Sequence, residues 1–291
     1  MFYPVAAITI NLPLAKKLAP ARKSTSKKGD NGTVLVAGGS HYYHGAPVLA
    51  SMAALRSGTD LAYTAVPRSI ATAVRSLSPV LIVLPLPDDK LTTGSANRLV
   101  AMMPKKADAA AIGMGMTIAK PDAIIALVRK LRDQKTKLLL DASALIPQVL
   151  PEIKGTNAVV TPHAGEYARL FGADPGKTEK ERTASVEAAA SEHGITILLK
   201  GPADIVSDGK KTGINRTHNC AMTVGGTGDV LAGIAAGLLC KMEPFGASLL
   251  AAYFNGLAGI LSFNRVGLHM AATDLLEDLP QAMKRFDIIA K

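Results

Sequence analysis

The sequence predicts an α/β fold: one doubly wound, mostly parallel sheet with helices on both faces, in a single domain. Short β-rich runs alternate with helical stretches along most of the chain, the order that βαβ crossovers produce. The runs are almost continuously apolar, as strands covered on both faces must be. The 291 residues, 48% apolar and 19% charged, can bury a substantial core and exclude a disordered chain.

From the N-terminus, Lys16, Lys17, Arg22, Lys23, Lys27 and Lys28 face a single acid, Asp30. Half of the +10 formal charge therefore precedes the first strong strand. Residues 1–29 read as a solvated, loosely attached basic arm, and 30–291 as the domain. Buried strands are expected at 33–38, 61–66, 80–84, 109–113, 138–141, 158–161 and 196–200. Helices are expected between them at 47–57, 121–133 and 179–193. Residues 203–207 and 211–215, joined around Asp208-Gly209, read as an added hairpin. Beyond Gly225 the pattern is helical only, at 227–239, 247–263 and 273–283.

Composition narrows the function. With two cysteines, Cys220 and Cys240, no disulfide framework is expected, and the reducing cytoplasm is the expected compartment. Aromatic content of 4% argues against a stacking platform for nucleic acid, and a basic surface suits polyphosphate ligands equally well. The apolar stretch 4–10 precedes the basic cluster, the reverse of a signal peptide. Residues 244–264 carry no charge but include Ser248, Asn255, Ser262 and three glycines. They read as a buried helix, so no membrane partner is expected.

The chemistry concentrates in Val224-Gly225-Gly226-Thr227-Gly228-Asp229-Val230-Leu231, at the entry to the 227–239 helix. Glycines let backbone approach a ligand, and the free N–H groups of a first helical turn favour an anion. Asp229 could simply cap that helix, or serve as the base of a phosphoryl-transfer enzyme. The loop Gly38-Gly39-Ser40-His41-Tyr42-Tyr43-His44-Gly45-Ala46-Pro47 opens another helix. It is neither a dinucleotide fingerprint nor a P-loop, and it could be a plain strand–helix turn. Gly113-Met114-Gly115, Thr161-Pro162-His163-Ala164-Gly165-Glu166 and Lys200-Gly201-Pro202-Ala203-Asp204 also follow strand ends. His163 alone could be structural, but several loops at one sheet edge make a pocket.

This set resembles the NAD(P)H-hydrate dehydratases of the ribokinase-like superfamily, over about residues 29–285. The resemblance rests on Gly38-Gly39-Ser40 with Tyr43-x-Gly45-Ala46-Pro47, Ala54-Leu55-Arg56-x-Gly58, Gly113-x-Gly115 and Asp141-Ala142-x-Ala144-Leu145. It continues through Thr161-Pro162-His163-x-Gly165-Glu166, Leu199-Lys200-Gly201, Gly225–Gly233, Gly256-Leu257-Ala258-Gly259 and Ala272-x-Asp274-Leu275-Leu276. The chain departs from the family pattern at Met114, Ser143 and His218–Ala221.

The resemblance implies a hydro-lyase of metabolite repair, dehydrating the S epimer of hydrated NADH or NADPH with ADP or ATP as phosphoryl donor. Asp229 would be the catalytic base, and Ala46, Gly115, His163 and Asp229 would contact the hydrated dinucleotide. Lys200, Gly201, Pro202, Ala203, Asp204, Gly226, Thr227 and Gly228 would hold the adenine nucleotide. Magnesium is the expected cofactor, with Glu166 orienting it through water. The family resemblance also implies a homo-oligomer, a tetramer, and an epimerase supplied by a separate protein. Two alternatives stay open: a vitamin-precursor kinase of the same fold, such as a hydroxymethylpyrimidine or thiazole kinase, and a non-catalytic adenylate sensor.

Overall fold

The computed structural model describes residues 7–291. The chain begins with β1 (Ile8–Thr9), α1 (Leu12–Leu18), β2 (Arg22–Lys23), β3 (Thr33–Ala37), α2 (Gly45–Arg56) and β4 (Leu61–Pro67). It continues with α3 (Arg68–Leu77), β5 (Ile82–Leu86), α4 (Thr93–Met102), β6 (Ala109–Ile112), α5 (Pro121–Asp133) and β7 (Lys137–Leu140). Next come α6 (Leu150–Ile153), β8 (Val159–Val160), α7 (Ala164–Phe171), α8 (Glu179–His193), β9 (Thr196–Leu199), β10 (Asp204–Ser207) and β11 (Thr212–Asn215). The last elements are α9 (Thr227–Leu239), α10 (Pro244–Val266), α11 (Ala272–Lys284) and β12 (Ile289–Ala290).

Ten strands form one sheet in the order β1-β11-β10-β9-β8-β7-β6-β3-β4-β5. Among the described residues, only the β9–β10 and β10–β11 pairings are antiparallel. The pleat divides the core in two. Val34, Val36, Ala109, Ala111, Leu139 and Leu198 face the layer of α2, α9, α10 and α11. Leu35, Ala37, Ala110, Ile112, Leu138, Leu140 and Leu199 face the layer of α4, α5, α7 and α8. Alternate residues of one strand thus serve opposite layers, which is why these runs are almost continuously apolar. This is the doubly wound architecture expected from the sequence.

Two expectations need correction. Residues 7–29 are not a loosely attached arm. Asn11 caps α1, accepting from the Leu14 N–H at 3.0 Å, and Ala15 is fully buried. Ile10 is buried in the α10 layer, β1 adds in parallel to the edge strand β11, and β2 pairs with β12 near the chain end. The six basic side chains in this segment are exposed, so charge dominates its composition while a few apolar residues fix its place. In addition, β5 begins two residues later than expected and contains Pro85. An edge strand tolerates the missing N–H.

Helix α10 is long and apolar enough to cross a membrane, yet most of it is buried against the sheet and neighbouring helices. Its small residues permit the fit. Gly256 and Gly259 lie directly under the backbone of Thr217 and the thioether of Met222.

Candidate active site

The parallel strands β3, β6, β7, β8 and β9 are consecutive neighbours, so the loops leaving their carboxyl ends share one rim. That rim receives residues 38–45 after β3, 113–116 after β6, Asp141 after β7, 161–166 after β8 and 200–204 after β9. The first turn of α9 meets the same rim. Such crevices at the carboxyl ends of strands are where open α/β sheets bind ligands.

A cluster of charges lies at its centre. Lys200 Nζ donates to Asp141 Oδ1 at 2.8 Å and lies 3.6 Å from Glu166 Oε2. Thr161 Oγ1 donates to the same Asp141 oxygen at 2.8 Å. Arg182 from α8 donates to the Lys200 carbonyl at 2.9 Å and fixes the end of β9. Burial disfavours the Lys200 ammonium, but Asp141, Glu166 and Asp229 outweigh it and hold the pKa above its ordinary value. Lys200 is therefore a fixed cation on the rim.

Asp229 sits in the first turn of α9, whose N-cap Gly226 has φ 97° and offers no side chain to the free N–H groups. A Cβ on Gly226 would meet Leu49 of α2 at 2.7 Å, so the entry to α9 abuts α2. Burial pushes the Asp229 carboxyl up to about 7, Asp141 and Glu166 push the same way, and Lys200 opposes them. A carboxyl that exchanges its proton near neutrality suits general-base work.

Residues 113–116 and 43–46 pack together. A Cβ on Gly115 would lie 2.7 Å from Tyr43 Cβ and 3.0 Å from Ala46 Cβ. Tyr42 and Tyr43 point outward, 84% and 65% exposed. Gly113 lies under the Asp141 carbonyl, joining this wall to the charged cluster. His163 has a structural duty. Its Nδ1 accepts from the N–H groups of Gly165 (3.0 Å) and Glu166 (3.3 Å), and Glu166 Oε2 accepts from the His163 N–H at 2.9 Å. This reciprocal cap starts α7 and leaves the imidazole side chain 61% exposed.

Beside the cluster lies a cleft of about 480 Å³, within the size range of small-molecule sites. Lys200, Gly201, Pro202, Asp204, Thr227 and Gly228 line it; Ala203 and Gly226 do not. Asp204 is a strut. It accepts from the Gly201 N–H and from Asn215 Nδ2, both at 3.1 Å, and burial raises its pKa. Residues 217–220, Met222 and Thr223 line it as well, together with Leu231, Ala252 and Asn255.

Asp141 escapes the sequence reading of site residues, although it directly follows an apolar strand at the shared rim. That position was the available signal. For Asn255 and Asn219 the sequence holds no comparable signal, because both reach the cleft only through tertiary packing.

The family model described as NAD(P)H-hydrate dehydratase matches residues 34–281. An ADP-dependent (S)-NAD(P)H-hydrate dehydratase of Nitrosopumilus maritimus (strain SCM1) is 53% identical over 286 residues, 98% of this chain and 100% of that one. The crystal structure of the ADP/ATP-dependent NAD(P)H-hydrate dehydratase from Bacillus subtilis, co-crystallised with ATP/Mg2+, has a TM-score of 0.85. It is 27% identical and covers 97% of this chain and 99% of its own. A ribokinase-like superfamily protein from Enterococcus faecalis V583, 22% identical with coverage of 99% in both chains, shares the fold at a TM-score of 0.80. The chain therefore belongs to the NAD(P)H-hydrate dehydratase family and has its ribokinase-like fold.

Proposed function

We propose that this chain restores NADH and NADPH from their C6-hydrated S epimers, using ADP as the phosphoryl donor. The observation that carries this reading is the Asp229 carboxyl, lifted to about 7 in the first turn of α9 beside the partly buried Lys200. The choice of ADP follows the donor of the relative that spans nearly the whole chain.

Hydroxide is a poor leaving group, so the C6 hydroxyl must first become a better one. Asp229 takes the hydroxyl proton as the C6 oxygen bonds to the β-phosphorus of ADP and the bond to AMP breaks. Charge on the transferring phosphoryl is met by the free N–H groups around Gly226–Gly228 and by Lys200. The C6–O bond of the phosphate ester then breaks as the ring nitrogen donates its electron pair. Loss of a C5 proton restores the C5–C6 double bond, leaving NADH, AMP and phosphate. Ala46 and Gly115 form the wall against which the dinucleotide lies, and His163 meets its exposed edge.

Among the described residues no three His, Cys, Asp or Glu side chains converge as a metal cage. Asp141 and Glu166 are already engaged by Lys200. This donor set fits magnesium carried on the nucleotide phosphates with most of its waters, Glu166 meeting it through water. When bound it would neutralise phosphoryl charge. The cytoplasm, where two free thiols persist, is the compartment this reading calls for.

Incubation with hydrated NADH, magnesium and ADP tests the proposal. Recovery of reduced-nicotinamide absorbance, with one AMP and one phosphate per NADH, is expected. A stable phosphate ester accumulating from a vitamin precursor, with hydrated NADH untouched, would replace it with the kinase reading.

A further inference from the structure

We infer that the face at the amino ends of β3, β6 and β7, opposite the catalytic rim, docks double-stranded DNA through its phosphates and without regard to sequence. These strands are parallel neighbours, so the segments entering them meet side by side. In residues 22–32, 103–108 and 134–137, eight basic side chains stand against two acids, which is +6 of the formal +10.

A fixed plate carries this charge. Asp108 Oδ2 accepts from the Thr33 N–H at 2.8 Å, and the Asp108 N–H donates to the Thr33 carbonyl at 2.8 Å. The Asp108 carbonyl accepts from the Lys137 N–H at 3.0 Å, and Thr136 Oγ1 donates to the Ala107 carbonyl at 2.9 Å. Asp60 accepts from the N–H groups of Gly29 and Asn31 at 2.8 and 3.0 Å. A Cβ on Gly29 would lie 2.8 Å from Lys105 Nζ, so Lys105 stands against the 27–30 turn. The acids serve the backbone or single partners. Asp30 accepts from the Lys27 N–H at 2.8 Å, Asp60 meets Arg22, and Asp133 at the end of α5 meets Arg132. Lys137 turns to the Met242 carbonyl. Lys23, Lys27, Lys28, Lys105, Lys106 and Lys135 remain, all exposed and in no ion pair among the described residues. Lys135 even keeps its side chain at φ 60°, a backbone that glycine would hold without strain.

The shape of the charge selects the partner. The entries to β3, β6 and β7 follow one another in a row, about 10 Å across two strand spacings. A row suits a line of phosphates better than a plane of headgroups, and duplex DNA offers one charge per about 1.7 Å of its axis. The three segments contain no aromatic residue to stack on unpaired bases. Their one arginine, Arg22, is held by Asp60, which leaves no guanidinium fork for a guanine edge. Lysine ammonium groups meet phosphates as point charges and read no base. DNA docked here leaves the rim at the other end of the strands open, so the surface is independent of the reaction proposed there.

Fluorescence anisotropy of the whole protein with a labelled duplex of about 20 base pairs, in about 50 to 200 mM potassium chloride, tests this. The logarithm of the association constant should fall against the logarithm of salt with a slope of about −4 to −5, an affinity loss of about 500-fold over that range. Two duplexes of unrelated sequence should agree within about threefold. Lys105→Gln with Lys106→Gln should make the slope shallower by about 2, and so should Lys27→Gln with Lys28→Gln. Lys177→Gln with Lys180→Gln removes the same charge at the start of α8, toward the rim, and should leave the slope unchanged. A slope shallower than about −2 in the unmodified protein, or an equal loss in all three paired variants, would overturn the inference. Retention on phosphatidylglycerol vesicles without binding to the duplex would replace it with membrane docking, for which Ile288 and Ile289, exposed beside β2, would be the apolar anchor. Turnover of hydrated NADH should be the same in the Lys27/Lys28 and Lys105/Lys106 variants as in the unmodified protein. Its absence from the unmodified protein would remove the proposed reaction and leave this inference standing.

Discussion

Two glycine-rich loops enter helices at the same rim, and particular glycines in them stand in different surroundings. In the loop before α2, a Cβ on Gly38 would strike the Met114 carbonyl oxygen, and one on Gly39 would meet Ile70 and Pro47 at 3.0 and 3.1 Å. Those glycines serve the protein's own packing. In the loop before α9, a Cβ on Gly225 would meet nothing within 4 Å, and one on Gly228 only Lys200 Nζ at 3.6 Å. The fold does not need glycine at either place. Under the proposed function these glycines leave room for an anion to approach the first turn of α9 closely, beside Lys200 and Asp229. Gly226 of the same loop belongs with the first kind, because its φ is 97° and a Cβ there would meet Leu49 and Ala272. Under the proposed function Gly225 and Gly228 are the ones a ligand would require.

The largest effect should come from the second loop. Asp229→Asn is expected to lower kcat by about two to four orders of magnitude, the usual worth of a general base, while ADP affinity in titration stays nearly unchanged. Its stability should report the burial of charge. The folded carboxyl holds its proton up to about 7 against an ordinary 3.8, so the native state gains protons and its stability falls as pH rises between those values. The variant lacks that penalty. Its melting temperature should match the unmodified protein near pH 4 and exceed it at pH 8, as thermal unfolding would show. For the unmodified enzyme, kcat/KM should fall as pH drops below about 7, where the base becomes protonated.

The glycine comparison is sharpened by a pair of alanines. Gly38→Ala should cost about 1–3 kcal/mol of stability, as overpacking does, and impair activity only through the fold. Gly228→Ala should raise stability slightly, because alanine is the better helix former by about 1 kcal/mol, yet weaken ADP by about tenfold. Denaturant midpoints and calorimetry separate the two. If Gly228→Ala bound ADP normally, the open space above α9 would have no bearing on the nucleotide.

Much of the fold was legible because apolar runs alternate with helical periods over long stretches. Helices α5, α8 and α9 begin and end where periodicity and caps place them, and the hairpin follows Asp208-Gly209. What was illegible depends on distant partners. The two-residue strands β1, β2 and β12 have no period to detect, and each exists only through pairing with a strand remote in sequence. The site divides similarly. Asp229 and Gly228 announce themselves as a helix start, whereas the Asp141–Lys200 pair joins residues 59 positions apart. His163 was read as a substrate contact, and its cap on α7 became visible only from the Glu166 geometry.

Smaller effects follow from those late-appearing contacts. Removing residues 1–25 should lower the melting temperature, because it uncovers the β11 edge and the Ala15 face of α10, and differential scanning calorimetry would register it. His163→Ala should cost about 0.5–2 kcal/mol, the worth of an N-cap, and raise KM for hydrated NADH with ADP affinity unchanged. Smallest of all, ADP should slow alkylation of the exposed Cys220 at the cleft wall. Cys240, whose thiol burial pushes up to about 12, should stay inert with or without nucleotide. Site-resolved mass spectrometry distinguishes the two thiols.

The most direct test of the chemistry follows the oxygen. NADH hydrated in ¹⁸O-water carries its label on the C6 hydroxyl, the atom that Asp229 is placed to deprotonate. If that oxygen receives the β-phosphoryl group of ADP and leaves with it, the phosphate released with NADH must contain one ¹⁸O atom per molecule. Unlabelled phosphate, with the ¹⁸O recovered in water, would mean that ADP hydrolysis and dehydration are separate events and would contradict phosphoryl transfer at this site.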